Sequence, residues 1–167
     1  HPHPHERTSF QVYQGLSGML IVHDEQEDSL DLPQGEHDIP LMIQDRTFDS
    51  ANQLVYIGNM RHNWMMGFSG DYVLVNGRVG YTKTVPRTAH RVRIINVSNA
   101  SLYHLRWSDG GDFRVIASDG GLLENAVEQP ALTLGVGERV DVWVDFSRQA
   151  AGSVVQLLAE SYTPSLQ

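Results

Sequence analysis

One short stretch, RVDVWVDF at residues 139–146, constrains the fold most strongly, because valine recurs at every second position. A period of two puts the three valines on one face of a β-strand and Asp141 and Asp145 on the other. The valine face is therefore predicted to be buried and the aspartate face to be exposed. The three valines are Val140, Val142 and Val144.

Similar runs rich in Val, Ile, Leu and Tyr recur along the chain and are separated by Gly, Pro, Asn, Asp and Ser. In the run at 90–96, alternation puts Val92 and Ile94 on one face and Arg91 and Arg93 on the other. Asn76-Gly77 predicts a hairpin turn. No stretch has a clear helical period, so the pattern predicts an all-β sandwich or barrel. The predicted strands cover residues 18–23, 39–48, 71–75, 90–96, 102–107, 113–118, 139–146 and 153–160.

The chain divides into three predicted parts. Residues 1–24 form one unit, in which 18–23 read as a strand that is apolar on both faces and therefore buried. Residues 25–38 are acidic and contain Pro and Gly, which predicts a linker or exposed loop. Residues 39–162 form a second, complete domain.

Residues 49–70 have a weaker pattern, with two interpretations. They are a methionine-rich copper or substrate surface, or a loop that packs its apolar side chains onto the sandwich. The apolar cluster comprises Met60, Trp64, Met65, Met66 and Phe68.

Charge and cysteine content exclude several classes of function. The formal net charge of −8 argues against nucleic acid or an anionic membrane surface as a partner. No apolar run is long enough to span a bilayer. Cysteine is absent, which excludes disulfides, thiolate zinc sites and a blue-copper centre within this chain.

Histidines alternate with prolines at the start of the chain, in the sequence His1-Pro-His3-Pro-His5. An extended backbone would put the three imidazoles on one side, where they suit copper, zinc or nickel. The alternative is a flexible, histidine-rich terminus. The remaining histidines form no ligand pair in sequence and are predicted to be structural or solvated; they are His23, His37, His62, His90 and His104.

The segment HPHPHERTSFQVYQGLSGMLIVHD resembles the second copper motif of laccase-like, three-domain multicopper oxidases. That motif has His-x-His, a short run reaching Gln, then Gly-Leu-x-Gly and an apolar strand. Here these are His1-Pro-His3, Gln11 and residues 15–18. The family usually has glycine directly after the third histidine, where this sequence has Glu6.

The rest of the chain resembles the middle cupredoxin domain of the same family. The segments IPLMIQDRTF, VLVNGR, HRVRIINVSNASLYHL and GERVDVWVDF occur in the expected order. The resemblance implies a cupredoxin-like Greek-key β-sandwich that binds no metal of its own.

The resemblance also implies a function for the parent protein. Such oxidases couple one-electron oxidation of phenols or metal ions to the reduction of dioxygen to water, with copper as cofactor. His1 and His3 would ligate the three-copper cluster, and His5 would lie beside them without being a direct ligand. The chain holds no further catalytic or cofactor-binding residue and would be inactive alone.

The implied partners are dioxygen, small electron donors and the remaining cupredoxin domains, in the parent chain or a neighbouring one. Those domains would hold residues 1–24, and the implied location is periplasmic or secreted. Two alternatives remain open: a cupredoxin-like structural or interaction module without oxidase activity, and a free-standing copper-binding domain that uses His1, His3 and His5.

Overall fold

A computed structural model describes residues 1–56 and 67–160, and strands dominate this part of the chain. Two short α-helices and one 3-10 turn precede the first strand. The helices are α1 (Thr8–Tyr13) and α2 (Glu25–Asp28), and the 3-10 turn is Gly35–His37. The strands are β1 (Asp38–Phe48), β2 (Leu54–Val55), β3 (Tyr72–Val75), β4 (Ala89–Asn96), β5 (Tyr103–Trp107), β6 (Phe113–Ser118), β7 (Gly121–Gln129), β8 (Leu132–Leu134), β9 (Arg139–Asp145) and β10 (Leu157–Glu160).

The strands form two sheets that enclose one hydrophobic core. The larger sheet has the order β2-β1-β4-β9-β6-β7, with β3 also paired to β1, and the smaller has the order β10-β5-β8. β1 and β4 run parallel, and the other paired strands run antiparallel. The predicted all-β, Greek-key sandwich is confirmed.

The core confirms the alternation predicted for β9. Val140 and Val142 are buried, and Val140 lies opposite Ile94 in the pairing of β4 with β9. Val144 is only half-buried, whereas Asp145 is exposed as predicted. Burying two such valines stabilises the sandwich by roughly 1.5–3 kcal/mol each.

The face of β4 and β9 that carries the charged residues is buried, so the prediction that Asp141 is exposed was wrong. Arg91, Arg93 and Asp141 are 3%, 8% and 9% exposed. The reason is that α2, in the predicted linker, lies over this face and brings Glu27 to it. Arg91 Nη2 lies 2.6 Å from Asp141 Oδ2, and Arg93 Nη2 lies 2.8 Å from Asp38 Oδ2 and 3.2 Å from Glu27 Oε1. Three carboxylates thus surround two guanidinium groups.

The N-terminal unit differs from its predicted form. Residues 18–23 form no strand, and Leu20 and Val22 are 90% and 76% exposed. The physical reason is that no strand among the described residues pairs with this backbone. A helix that the sequence pattern did not predict, α1, precedes it; Tyr13 is its buried residue.

The predicted hairpin turn is present, whereas the strand limits differ in part from the predicted ones. Asn76 and Gly77 have φ of 49° and 77°, as the predicted hairpin turn requires. The strands β2, β7 and β8 were not predicted. β7 is exposed along nearly its whole length and therefore lacks alternation; pairing with β6 defines it. The predicted strand at 153–160 is restricted to β10, and residues 161–162 of the predicted domain lie outside the described residues.

Candidate metal centre

The first five residues present their histidines outward. His1, His3 and His5 are exposed, while the prolines between them are partly buried. The ring centroids of His1 and His3 lie 4.4 Å apart, with the ring planes tilted by 35°. The structure therefore brings the two predicted ligands together as a pair.

The donor chemistry of this pair fits copper. Nδ1 of His1 lies 2.9 Å from the carbonyl oxygen of Pro2, which can only accept a hydrogen bond. This contact favours the tautomer with the proton on Nδ1, which leaves on Nε2 the lone pair that a metal needs. Two imidazoles do not complete a site. Residues 1–56 and 67–160 contain no group of three or more His, Asp or Glu side chains able to hold a metal.

A tight turn follows the histidines. The backbone N–H of Arg7 donates to the carbonyl of Pro4 at 3.2 Å, and the Thr8 hydroxyl donates to the same oxygen at 3.0 Å. Glu6 has φ of +63°, in the left-handed region that favours glycine. Glu6 therefore adopts a left-handed conformation at the position where the family usually has glycine.

Gly15 of the motif ends helix α1. Its φ is +97°, and its N–H donates to the carbonyl of Val12 at 2.9 Å. The next N–H, of Leu16, donates to Gln11 at 3.0 Å. This pair of bonds satisfies the last carbonyl groups of the helix and turns the chain away from it.

Tyr13 fixes α1 to the sandwich. It is 1% exposed, and its hydroxyl oxygen accepts from the backbone N–H of Thr47 at 2.8 Å. The guanidinium of Arg46 lies over its ring, 4.6 Å from the centroid, and Nη2 of Arg46 donates to the carbonyl of Val12 at 3.1 Å. Burial raises the pKa of Tyr13, so its hydroxyl stays protonated at physiological pH.

A second contact holds the start of the helix. The side-chain amide of Asn99, in the loop after β4, donates to the carbonyl of Ser9 at 2.8 Å. Tyr13 also packs edge-on against Phe68, at a centroid distance of 5.2 Å. Phe68 is buried, as the packing interpretation of residues 49–70 expects. The other members of that cluster, Met60, Trp64, Met65 and Met66, lie outside the described residues.

These positioning residues were missed by the sequence analysis. Tyr13, Arg46 and Asn99 do not belong to a metal-ligand motif, so the sequence pattern did not indicate a role for them. One signal was available: Gln44, Asp45 and Arg46 interrupt the apolar run of β1, and buried charges require partners.

A cleft of about 850 Å³ separates the histidine segment from one end of the sandwich. His1, Met19 and Leu20 line one side, and Val97 and Val136 line the other. Several apolar side chains that line the cleft, or that neighbour its lining residues in sequence, are exposed. The exposed fractions are 52% for Leu16, 90% for Leu20, 62% for Leu102 and 47% for Val136.

The remaining histidines are not all isolated. His37 and His90 approach to 3.4 Å between ring nitrogens, which sequence spacing did not predict. His23 lies 3.4 Å from Glu27, and His104 contacts the Thr133 hydroxyl at 2.9 Å. His62 lies outside the described residues.

Comparison with known proteins identifies the family. The sequence model of the family described as multicopper oxidase matches residues 37–154. The chain is 38% identical to a laccase of Bacillus subtilis over 93% of its own length and 32% of the laccase. It is 36% identical to the cell division protein FtsP of Escherichia coli, over 99% of this chain and 36% of FtsP.

Solved structures agree with the sequence matches. The multicopper oxidase McoA of Aquifex aeolicus superposes with a TM-score of 0.85 at 46% identity, over 94% of this chain and 35% of McoA. The chain belongs to the multicopper oxidase family. It spans about a third of the length of the relatives it matches. Among the described residues, no helix is long and apolar enough to cross a membrane.

Proposed function

We propose that this chain is part of a multicopper oxidase and that His1 and His3 are copper ligands of its dioxygen-reducing cluster. The observation that supports this proposal most directly is the pairing of the two imidazole rings, with centroids 4.4 Å apart, on a segment that α1 fixes to the sandwich. The parent would couple one-electron oxidation of phenols or metal ions to the reduction of dioxygen to water. The resemblance to laccase-like oxidases also supports a periplasmic or secreted location.

Copper, when bound, supplies the one-electron redox chemistry that amino-acid side chains lack. The residues of this chain orient the ligands. The partly buried prolines limit the motion of the backbone between His1 and His3, which lowers the entropy cost of holding a metal. His5 is exposed at the start of the turn and is proposed to lie near the metal without binding it.

The other copper ligands are proposed to come from further cupredoxin domains, in the parent or in a neighbouring chain. Leu20 and Val22 support this, because apolar side chains on an extended segment are stabilised by a covering partner. The cleft beside His1 offers a concave surface for such a domain. The chain alone is then inactive.

A second candidate is a module without oxidase activity. The match to a cell division protein over 99% of this chain favours it, because the same fold then occurs in a protein not named for an oxidase activity. Copper binding separates the two candidates, since a structural module does not require paired imidazoles.

The test is the copper content and oxygen uptake of the full-length parent protein. The oxidase proposal predicts several coppers per molecule and oxygen consumption with a phenol or an oxidisable metal ion. His1→Gln and His3→Gln should each lower copper content and abolish oxygen uptake, whereas His5→Gln should retain both. A correctly folded parent without copper and without oxygen uptake would favour the structural module.

A further inference from the structure

His37 and His90 form a second imidazole pair, on the part of the sandwich where the linker enters β1. His37 ends the 3-10 turn directly before β1, and His90 lies in β4, the parallel neighbour of β1. Nδ1 of His37 and Nε2 of His90 are 3.4 Å apart, and the ring centroids are 5.0 Å apart. His90 is 0% exposed, whereas 32% of the His37 side chain is exposed.

The outer nitrogen of His90 has an acceptor beside it, because Nδ1 lies 2.9 Å from the carbonyl oxygen of Thr88. That oxygen only accepts, so it favours the proton on Nδ1, and the inner nitrogen Nε2 presents a lone pair to His37. In the metal-free chain, Nδ1 of His37 can donate a hydrogen bond to this lone pair. When the His37 proton is instead on Nε2, which lies 3.6 Å from Oε1 of Glu36, both inner nitrogens are free to bind a cation.

The separation of the inner nitrogens suits a metal ion. Two metal–nitrogen bonds of about 2.0–2.1 Å at a tetrahedral angle place the nitrogens about 3.3–3.4 Å apart. A backbone carbonyl and a carboxylate are also the usual partners of the non-coordinating nitrogen in metal-bound histidines. We propose that His37 and His90 together bind one divalent, imidazole-binding metal ion, Zn²⁺ or Cu²⁺, with water completing its coordination.

The charged groups around the pair act in both directions. Burial lowers the pKa of His90, which keeps the ring in the neutral form that binds metal. The charge of Lys83 acts in the same direction on His90 but also repels a metal cation. Glu36 attracts a cation, and its carboxylate oxygen lies 3.6 Å from the outer nitrogen of His37. The bound ion would join the linker to β4 and so stabilise the entry of the chain into the sandwich.

The experiment uses the full chain with the first three histidines replaced, so that they cannot bind the added metal. In the variant with His1→Gln, His3→Gln and His5→Gln, calorimetric titration with zinc chloride should reveal one saturable site per chain. Adding His37→Gln should weaken zinc binding about tenfold or more. The matched control, His23→Gln, should leave the affinity unchanged, because His23 lies outside the pair.

Two further measurements make the result decisive. In the variant that lacks only His1, His3 and His5, zinc should shift the imidazole NMR signals of His37 and His90 and raise the Tm. Zinc should not raise the Tm once His37→Gln is added. His37 is partly exposed, so this variant should fold, and its Tm without zinc checks that. Zinc affinity unaffected by His37→Gln, or no saturable site at all, would overturn the proposal and leave a hydrogen bond as the interaction between the rings.

Discussion

The guanidinium of Arg46 lies over the ring of Tyr13 and joins the first helix to the first strand. The distance from Arg46 Cζ to the ring centroid is 4.6 Å, and both residues are almost fully buried. Burial lowers the pKa of Arg46, but the group remains charged because its ordinary pKa is far above physiological pH. This contact therefore fixes the segment that carries His1 and His3.

Arg46→Met should release α1 from the sandwich. The substitution removes the donor to the carbonyl of Val12 and should lower the free energy of unfolding by roughly 1–3 kcal/mol. Trypsin cleavage after Arg7 should accelerate, because the undocked turn is accessible. Arg106→Met is the control; its side chain is 46% exposed, and it should change stability by less than about 0.5 kcal/mol. Equal cleavage rates in both variants would contradict the anchoring role.

Glu6→Gly should stabilise the turn after the histidines. A non-glycine residue in the left-handed region costs about 1–2 kcal/mol, and the φ of Glu6 is +63°. Slower amide hydrogen exchange at Arg7 and Thr8 should report the gain. Glu6→Ala removes the same charge without the conformational freedom and serves as the control. If alanine protected these amides as well as glycine, backbone strain would not be the cause.

Glu27→Gln should weaken the attachment of α2 to the buried arginines. Burial raises the pKa of Glu27, but hydrogen bonds and charge from Arg91 and Arg93 outweigh it, and the net pKa is lowered. A lowered pKa contributes stability above the ordinary value of 4.5, and this contribution is lost as pH falls through the folded-state pKa. At neutral pH the loss should be roughly 1–3 kcal/mol, measured by urea unfolding.

Glu25→Gln provides the matched control for that variant. Glu25 lies in the same helix, is exposed, and loses the same charge. The difference between the two variants should shrink as the solution is acidified below pH 4.5. A difference that is independent of pH would mean that helix propensity, rather than the ion pairs, explains the effect.

His90→Phe should flatten the response of stability to acid. Burial lowers the pKa of His90 below its ordinary value of 6.5, so the unfolded chain takes up a proton that the folded chain resists. Stability is then complete above about pH 6.5 and is lost as pH falls, by at most about 1.4 kcal/mol per pH unit for one proton. Chemical unfolding in a chelating buffer measures this without a metal contribution.

The exposed His5 offers the comparison for the acid response. His5→Gln should follow the wild-type pH dependence of stability, because His5 is exposed and precedes every strand of the sandwich. If His90→Phe also followed it, His90 would not contribute to the acid response.

Alternation along single strands was sufficient to predict most of the sandwich. The valines of β9 face the core because their period matches the pleat. Alternation could not predict that Asp141 is buried, because its burial depends on α2. That helix lies more than a hundred residues earlier in the sequence. β7 was not predicted because its residues are exposed on both faces, so the strand has no apolar face to alternate with a polar one.

The candidate metal centre was predicted only at the level of its ligands. His1 and His3 were recognisable because residue type and spacing indicate metal ligands. The residues that support them were not recognisable, because Tyr13, Arg46 and Asn99 act through contacts between distant parts of the chain. The same limit hid His37 and His90, which are 53 positions apart and meet only through the pairing of β1 with β4.

The hydrogen bond from Asn99 to Ser9 has a consequence for biosynthesis. The two residues are separated by 90 positions, so the histidine segment leaves the ribosome long before its anchor has been made. At about 5–20 residues per second, that delay is roughly 5–20 s. During this interval the Asn99 contact that fixes the histidine segment to the sandwich is absent. If His1 and His3 bind copper as proposed, this contact forms only after translation has passed β4, which favours loading of the finished protein over loading during synthesis.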